Sequence, residues 1–435
     1  MKKVLIGLLG LTVSLTVAQS LFPSAPSSDG QPKVVASASL IPYSLTRFGY
    51  SSTEVATAEK NGLRRSDIPS VGSALVWLGG TTFMGLTDRG PNEDHLDANG
   101  AVDGKIFPLP QFNPAMVKFE LRGNQLVPLE IIPITTLGGQ PVTGLSTEKA
   151  DDPIFTSASS NASLAYNQNG VDVEAMQQLP NGYWMMAEEY SSSLLVLNRR
   201  GQVMMRYTPQ GKRLSKAGYP VRDILPQIFV NRRNNRGFEN LAVSKDGKTA
   251  WTIVQSPMGA TADKAFDESK IARAVRLDIS DPLNAKVTGM YAVPFSPRAD
   301  YPATKRQRDL KYSEAVWLSG EKLLMLERAD KLVKLFVVDF ANATNFLNRP
   351  EAATLVPERV DTNLATLGIK TTERTEVFSS ASTPAIDEEK LEGMAVLSEG
   401  AIALIHDNDF GIGDNKTNAP TKFWIVQLAK ALPLK

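Results

Sequence analysis

The chain reads as an all-β protein, a β-propeller of six blades with five as the alternative count, closed by repeated antiparallel hairpins. Three observations predict this. A short segment recurs with a glutamate in the same place, at 172–189, 237–248, 312–328 and 391–409. In each copy two strand-like runs flank a turn dipeptide: Asn181-Gly182, Asp246-Gly247, Gly320-Glu321 and Glu399-Gly400. No long amphipathic helix pattern separates the copies, so nothing points to βαβ units.

The repeated glutamates are Glu174, Glu239, Glu314 and Glu392, spaced 65, 75 and 78 residues apart. A degenerate fifth copy at 70–90 keeps its hairpin around Gly79-Gly80 but has no glutamate. These periods exceed the roughly 40–50 residues of common propeller repeats, which implies long loops or blades without the motif. A two-sheet sandwich, the competing all-β architecture, repeats less regularly.

From the N-terminus, Lys2 and Lys3 precede an apolar run from Val4 to Val17, with small residues leading to Ala18. This is the pattern of a secretory signal, residues 1–18, cleaved after Ala18. The run is short for a membrane span, which needs about 20 residues. A Ser/Pro/Ala-rich tether over 19–42 follows, and the propeller domain is read as 43–435. The expected location is outside the cytoplasm, in a bacterial periplasm or the extracellular space, with no membrane partner after signal removal.

Composition narrows the chemistry. The chain has 435 residues, 42% hydrophobic and 21% charged, with a net charge of +1. No basic tract recruits nucleic acid. There is no cysteine, which removes thiol nucleophiles and cysteine zinc sites. Two histidines, His95 and His406, exclude a three-histidine zinc centre. No G-x-S-x-G elbow occurs, and the stretch around Gly247-Lys248-Thr249 is a hairpin turn rather than a phosphate loop.

Counting outward from two-residue turns places Glu174 opposite Glu189, Glu314 opposite Glu327 and Glu392 opposite Asp407. Glu239 meets Val254 and neighbours Gln255. A one-residue bulge would change each pairing. Like charges facing across strands destabilise a sheet. Compensation could come from a divalent cation, Ca²⁺ first, from a shared proton, or from Arg89, Arg236 and Arg328 beside the motif copies. Equivalent blade positions converge on one end of the channel, and such a funnel suits metal-assisted hydrolysis of a small anionic phosphate ester. The alternative is that the glutamates brace neighbouring blades through backbone N–H groups. Asp88-Arg89-Gly90-Pro91 is a second candidate, with Asp88 as ligand or base and Arg89 as phosphate clamp. His406-Asp407-Asn408-Asp409 is a third, an oxygen-ligand cluster that lacks the glutamate of an EF-hand. The repeated Met and Trp residues, among them Trp184, Met185, Met186, Trp251 and Met325, read as blade core.

The runs Asn235-Arg-Gly-Phe-Glu239-Asn-Leu-Ala, Leu324-Met-Leu-Glu327-Arg328 and Lys390-Leu-Glu392-Gly-Met-Ala…His406-Asp-Asn-Asp409, with Asp88-Arg89-Gly90-Pro91, resemble the phytase-like family, whose domain is described as esterase-like activity of phytase. The resemblance covers roughly residues 45 to 430. It implies a secreted bacterial phosphoesterase or esterase. It carries Asp88, Arg89, Glu174, Glu239, Glu327, Arg328, Glu392, Asp407 and Asp409 over as site residues. Asn240 departs from the family, which usually has Gly there. The histidine-phosphatase signature R-H-G-x-R-x-P is absent. Together these readings assign catalytic roles to Asp88, Arg89, Glu174, Glu239, Glu327 and Arg328, and metal ligation to Glu189, Glu314, Glu392, Asp407 and Asp409. A non-enzymatic envelope binding or scaffold propeller, or a calcium-dependent lactonase-type propeller, are the alternatives.

Overall fold

The computed structural model describes residues 21–148, 152–160, 162–329, 331–386, 388–412 and 419–434. The signal segment 1–18 lies outside the described residues. The strands fall into five four-stranded antiparallel sets whose inner strands pack side by side, a five-bladed propeller. Blade 1 is Ala74–Gly79, Thr82–Leu86, Ala115–Arg122 and Gln125–Pro133. Blade 2 is Val173–Gln178, Trp184–Glu188, Ser193–Leu197 and Val203–Pro209, with Val221–Leu225 added at its outer edge in parallel. Blade 3 is Ala242–Val243, Thr249–Ile253, Ile271–Asp278 and Lys286–Pro294. Blade 4 is Lys311–Ser319, Lys322–Ala329, Leu332–Asp339 and Glu373–Ser379.

Blade 5 joins the two chain ends. Leu391–Ser398, Ala401–His406 and Lys422–Gln427 are completed by the N-terminal strand Lys33–Leu40. The segment Lys-Val-Val-Ala-Ser-Ala-Ser-Leu alternates in burial toward its end, as an outer strand should. Part of the segment read as a tether therefore belongs to the propeller. Pairing an N-terminal strand with a C-terminal one closes the ring, so no blade edge is left at the join.

Five blades rather than six follow from where the long spacings go. Residues 340–372 of blade 4 form an excursion of 3₁₀ turns. The degenerate copy at 70–90 is a full blade. Residues 93–96, 102–106 and 154–155 form a small separate sheet reached from blades 1 and 2. No sixth blade is needed to account for the chain.

Turn chemistry supports the hairpins. Gly182 and Gly247 hold positive φ of 81° and 69°, which only glycine adopts without strain. Trp77 and Trp317 each donate their indole N–H to the turn carbonyls of Gly80 and Gly320, at 3.0 and 2.9 Å. The layers between blades are apolar: Met84, Met176, Trp184 and Met186 fill the space between blades 1 and 2, and Leu324, Met394, Leu404 and Trp424 that between blades 4 and 5. Among the described residues no helix is long and apolar enough to cross a membrane.

Candidate functional site

One irregularity, repeated from blade to blade, builds the site. In blade 2, Ala175 pairs with Ala187 but Val173 pairs with Glu188, leaving Glu174 over. In blade 5, Gly393 pairs with Ile405 and Leu391 with His406, leaving Glu392 over. In blade 4, Glu314 pairs with Leu326 and Tyr312 with Glu327, leaving Ser313 over. Blade 3 carries the same one-residue excess between Phe238, opposite Val254, and Ala242, opposite Trp251. A bulge bends its strand and re-aims the extra side chain.

The bulge overturns the expected facing pairs. Glu327 lies opposite Tyr312 and Glu314 opposite Leu326, while His406 rather than Asp407 meets Leu391. It also shifts the blade 4 copy by one residue: Ser313, not Glu314, is equivalent to Glu174 and Glu392. On the second strand, Glu189 and Asp407, the residues following Glu188 and His406, line the channel mouth.

Eight of the sequence candidates line one cavity of about 680 Å³ at that mouth: Asp88, Arg89, Glu174, Glu189, Glu239, Glu392, Asp407 and Asp409. The small sheet overhangs it, contributing Glu93, Asp94, Leu96, Lys105 and Ile106 to the wall. Arg328 lies against the same group. It donates to Ser313 Oγ at 2.7 Å, reaches Glu239 Oε1 at 3.4 Å and pairs with Glu392. Ser313 in turn donates to Glu239 Oε2 at 2.9 Å.

Two candidates are elsewhere. Glu327 is fully buried, accepting from the Tyr301 hydroxyl at 2.8 Å, Arg374 at 2.9 Å and the Ser296 N–H at 3.1 Å. It ties blade 4 to the loop at 295–307. Glu314 does not line the cavity either. Burial pushes its carboxyl well above the usual range, against the opposing pull of the N–H groups of Ala315, Leu241 and Leu75. Both behave as the braces that the alternative reading of the glutamates describes.

Arg89 is also more confined than a phosphate clamp. Its Nε donates to Gly144 O at 3.0 Å, and its guanidinium stacks on Tyr190 at 3.9 Å and sits 4.7 Å from the Phe107 ring centre. Its Nη1 faces Asp172 Oδ2 at 3.5 Å. Arg89 thus serves as counterion to Asp172. Gly237 marks another close approach: a Cβ there would meet Glu189 O at 1.9 Å, so the inner strand of blade 3 needs glycine to pass.

Sequence reasoning missed Asp172, Lys311 and Lys390 as site residues. All three stand two positions before a bulge residue, at Glu174, Ser313 and Glu392 respectively, and that shared offset was the available signal. Gln255 and Arg236 complete the wall, with Arg236 donating to Gln255 at 2.9 Å.

The electrostatics divide the mouth. Burial, then the charges of Asp407 and Asp172, pushes Asp88 well up. Burial, then Asp172, Glu392 and Glu189, does the same to Glu174. Glu189 is pushed up to about 8 by burial and by Asp172 and Glu239. Burial also raises Glu392, although Arg328 and Lys390 oppose it. Asp407 goes the other way: burial works against its charge, but Lys390, the Ser70 hydroxyl and the Asp409 N–H prevail. On the blade 4 side Lys311, directly across from Arg328, is pushed down to about 7 by burial and by the charges of Arg236 and Arg328.

Several buried oxygens at the mouth meet no hydrogen-bond donor among the described residues, Glu174 Oε2 and Glu189 Oε1 among them. Orphaned buried acceptors are rare in folded proteins and costly. Two groups of carboxylates present oxygens within 4.8 Å of one another: Asp88, Asp172 and Glu174, and Glu174, Glu239 and Glu392. An all-oxygen, carboxylate-rich donor set with unmet lone pairs fits a hard divalent cation such as Ca²⁺ or Mg²⁺.

A family model described as phytase-like, esterase-like activity of phytase, matches residues 72–410. The chain belongs to the phytase-like family. The matched region runs from the inner strand of blade 1 to the Asp407–Asp409 cluster and so takes in every bulge. An uncharacterized secreted protein of Arthroderma benhamiae is 23% identical to the phytase-like chain over 200 residues, 40% of this chain and 38% of the relative. Among solved structures, the periplasmic gluconolactonase of Pseudomonas aeruginosa is 12% identical, covers 85% of each chain and has a TM-score of 0.32. The PQQ-bound aldose sugar dehydrogenase of Streptomyces coelicolor is 8% identical, covers 94% of this chain and 99% of its own, and has a TM-score of 0.33. Likenesses this distant assign no activity.

Proposed function

We propose that this phytase-like chain is an exported hydrolase of phosphate esters, assisted by a divalent cation, Ca²⁺ first, at the carboxylate-lined mouth of the propeller. One observation carries the reading: acids from blades 1, 2, 3 and 5 converge on one cavity, several with unpaired buried oxygens, beside the cations Arg236, Lys311 and Lys390. Asp88, Asp172 and Glu174, or Glu174, Glu239 and Glu392, would hold the cation. When bound it supplies Lewis acidity that stabilises charge developing on a phosphoryl oxygen.

The chain's own residues supply the rest. Lys311, Arg236 and Lys390 bind the anionic ester and orient it toward the acids. Glu189, with Oε1 unpaired at the cavity wall, takes the proton of the attacking water as pH approaches 8, where its carboxyl ionises. Lys311, whose ammonium sheds its proton near neutrality, donates to the departing oxygen. The overhanging sheet at 93–106 restricts water around the bound ester. Export is proposed from the Lys2, Lys3 and Val4–Val17 pattern and accords with the secreted relative.

The test is initial-rate hydrolysis by the purified chain of an aryl phosphate, the matched aryl acetate and a simple lactone, in chelator and in added Ca²⁺. Phosphate release that requires Ca²⁺ supports the reading. Turnover of the acetate or lactone alone moves the substrate class to carboxylic esters. No turnover of any of the three in Ca²⁺ removes the hydrolase and favours a binding propeller.

A further inference from the structure

The two carboxylate groups at the mouth share one member, Glu174, and nothing else. Asp88 and Asp172 approach it from blade 1 and from the position two before its own bulge; Glu239 and Glu392 approach from blades 3 and 5. The five residues do not form one such group, so a cation seated in one trio leaves the other trio's remaining two carboxylates without it.

Each group has its own guanidinium on its outer side. Arg89 faces Asp172 Oδ2 at 3.5 Å, and Arg328 reaches Glu239 and Glu392. Both arginines are buried, at 2% and 3% exposure, and so cannot be replaced by solvent counterions. Glu174 stands between the groups, 7% exposed, with Oε2 lacking any donor among the described residues. A carboxylate between two cation seats has one oxygen for each.

We infer that the mouth holds two divalent cations side by side, bridged by Glu174, one on Asp88 and Asp172 and the other on Glu239 and Glu392. This rests on the cation-assisted reading of the same site. A paired site suits an anionic ester, since one cation can steady the attacking oxygen and the other the departing one. Arg89 and Arg328 are positioning residues here, holding one member or two of each group in place.

Calorimetric titration of the chelated full chain with CaCl₂ reads the stoichiometry directly. Two equivalents are expected for the wild type, one for Asp88→Asn and one for Glu392→Gln, with Glu174→Gln weakening both. One equivalent in the wild type overturns the paired site and leaves the single-cation reading standing. No binding overturns both. Loss of all binding in both Asp88→Asn and Glu392→Gln, with native circular dichroism, also overturns the pair, because it shows one site using all the ligands. Should either variant fail to fold, the wild-type stoichiometry still decides.

Discussion

Glu188 and Glu189 are chain neighbours that face opposite ways, and replacing each with glutamine separates bracing from site chemistry. Glu188 is fully buried and accepts from the Ser193 hydroxyl at 2.7 Å, the Ser191 N–H at 2.9 Å and Arg206 at 3.0 Å. Glu188→Gln leaves the Arg206 charge, itself fully buried, without its counterion. Breaking a buried pair from one side costs about 3–5 kcal/mol. Glu189 has the reverse sign. Its folded carboxyl is pushed up to about 8, above the 4.5 of an ordinary glutamate, chiefly by burial. Between those values the unfolded chain has shed the proton that the folded chain retains, so unfolding free energy falls as pH rises from about 4.5 to about 8. At about 1.4 kcal/mol per pH unit, the penalty at pH 7 is on the order of 3 kcal/mol. Glu189→Gln removes it. Urea unfolding in chelator at pH 5 and pH 7 reads both effects. Glu189→Gln should raise the midpoint at pH 7 and do little at pH 5, while Glu188→Gln lowers it at both. A Glu189→Gln variant that loses stability at pH 7, or gains equally at pH 5, refutes the assignment of Glu189 to a desolvated, uncompensated position.

Three further outcomes are expected. Glu327→Ala strands Arg374 against Phe336, 3.8 Å from its ring centre, and should cost about 3–5 kcal/mol in urea unfolding; a loss below about 1 kcal/mol contradicts the bracing role. Lys311→Met removes a charged contact to the anionic ester and should raise KM for an aryl phosphate about tenfold or more, from about 1.5–3 kcal/mol of charged hydrogen bonding, without lowering Ca²⁺ affinity in calorimetry; an unchanged KM removes Lys311 from the anion seat. Calcium at a hundredfold its dissociation constant should raise unfolding free energy by about 2.7 kcal/mol over the chelated protein, more if both seats fill; superimposable melts in chelator and in Ca²⁺ contradict a folded-state cation site.

The repeat and its turns were enough to read the propeller and to single out eight residues that line its mouth, because hairpins are local: Asn181-Gly182 and Asp246-Gly247 fix strands a few residues away. The register was not legible. A bulge adds one residue without leaving a compositional mark, and it exchanged Glu314 for Ser313 at the mouth and turned Glu327 into a brace. The long-range terms were hidden for the same reason. Lys33–Leu40 looks like a tether until Lys422–Gln427 is beside it. Arg89 looks like a clamp until Tyr190 and Phe107 close over it. Glu174, Glu239 and Glu392 were found because their blades repeat the same local sentence. Lys311 and Lys390 were passed over because their offset from the bulge acquires meaning only once the bulge is known.

The most direct measurement is anomalous diffraction from crystals of the chain grown with Mn²⁺ in place of Ca²⁺, which locates bound cations without reference to activity. Anomalous peaks are expected at the propeller mouth within coordination distance of Glu174, one toward Asp88 and Asp172 and one toward Glu239 and Glu392. Peaks confined to the outer surface, or a mouth in which Glu174, Glu239 and Glu392 contact only protein groups and water, would contradict it.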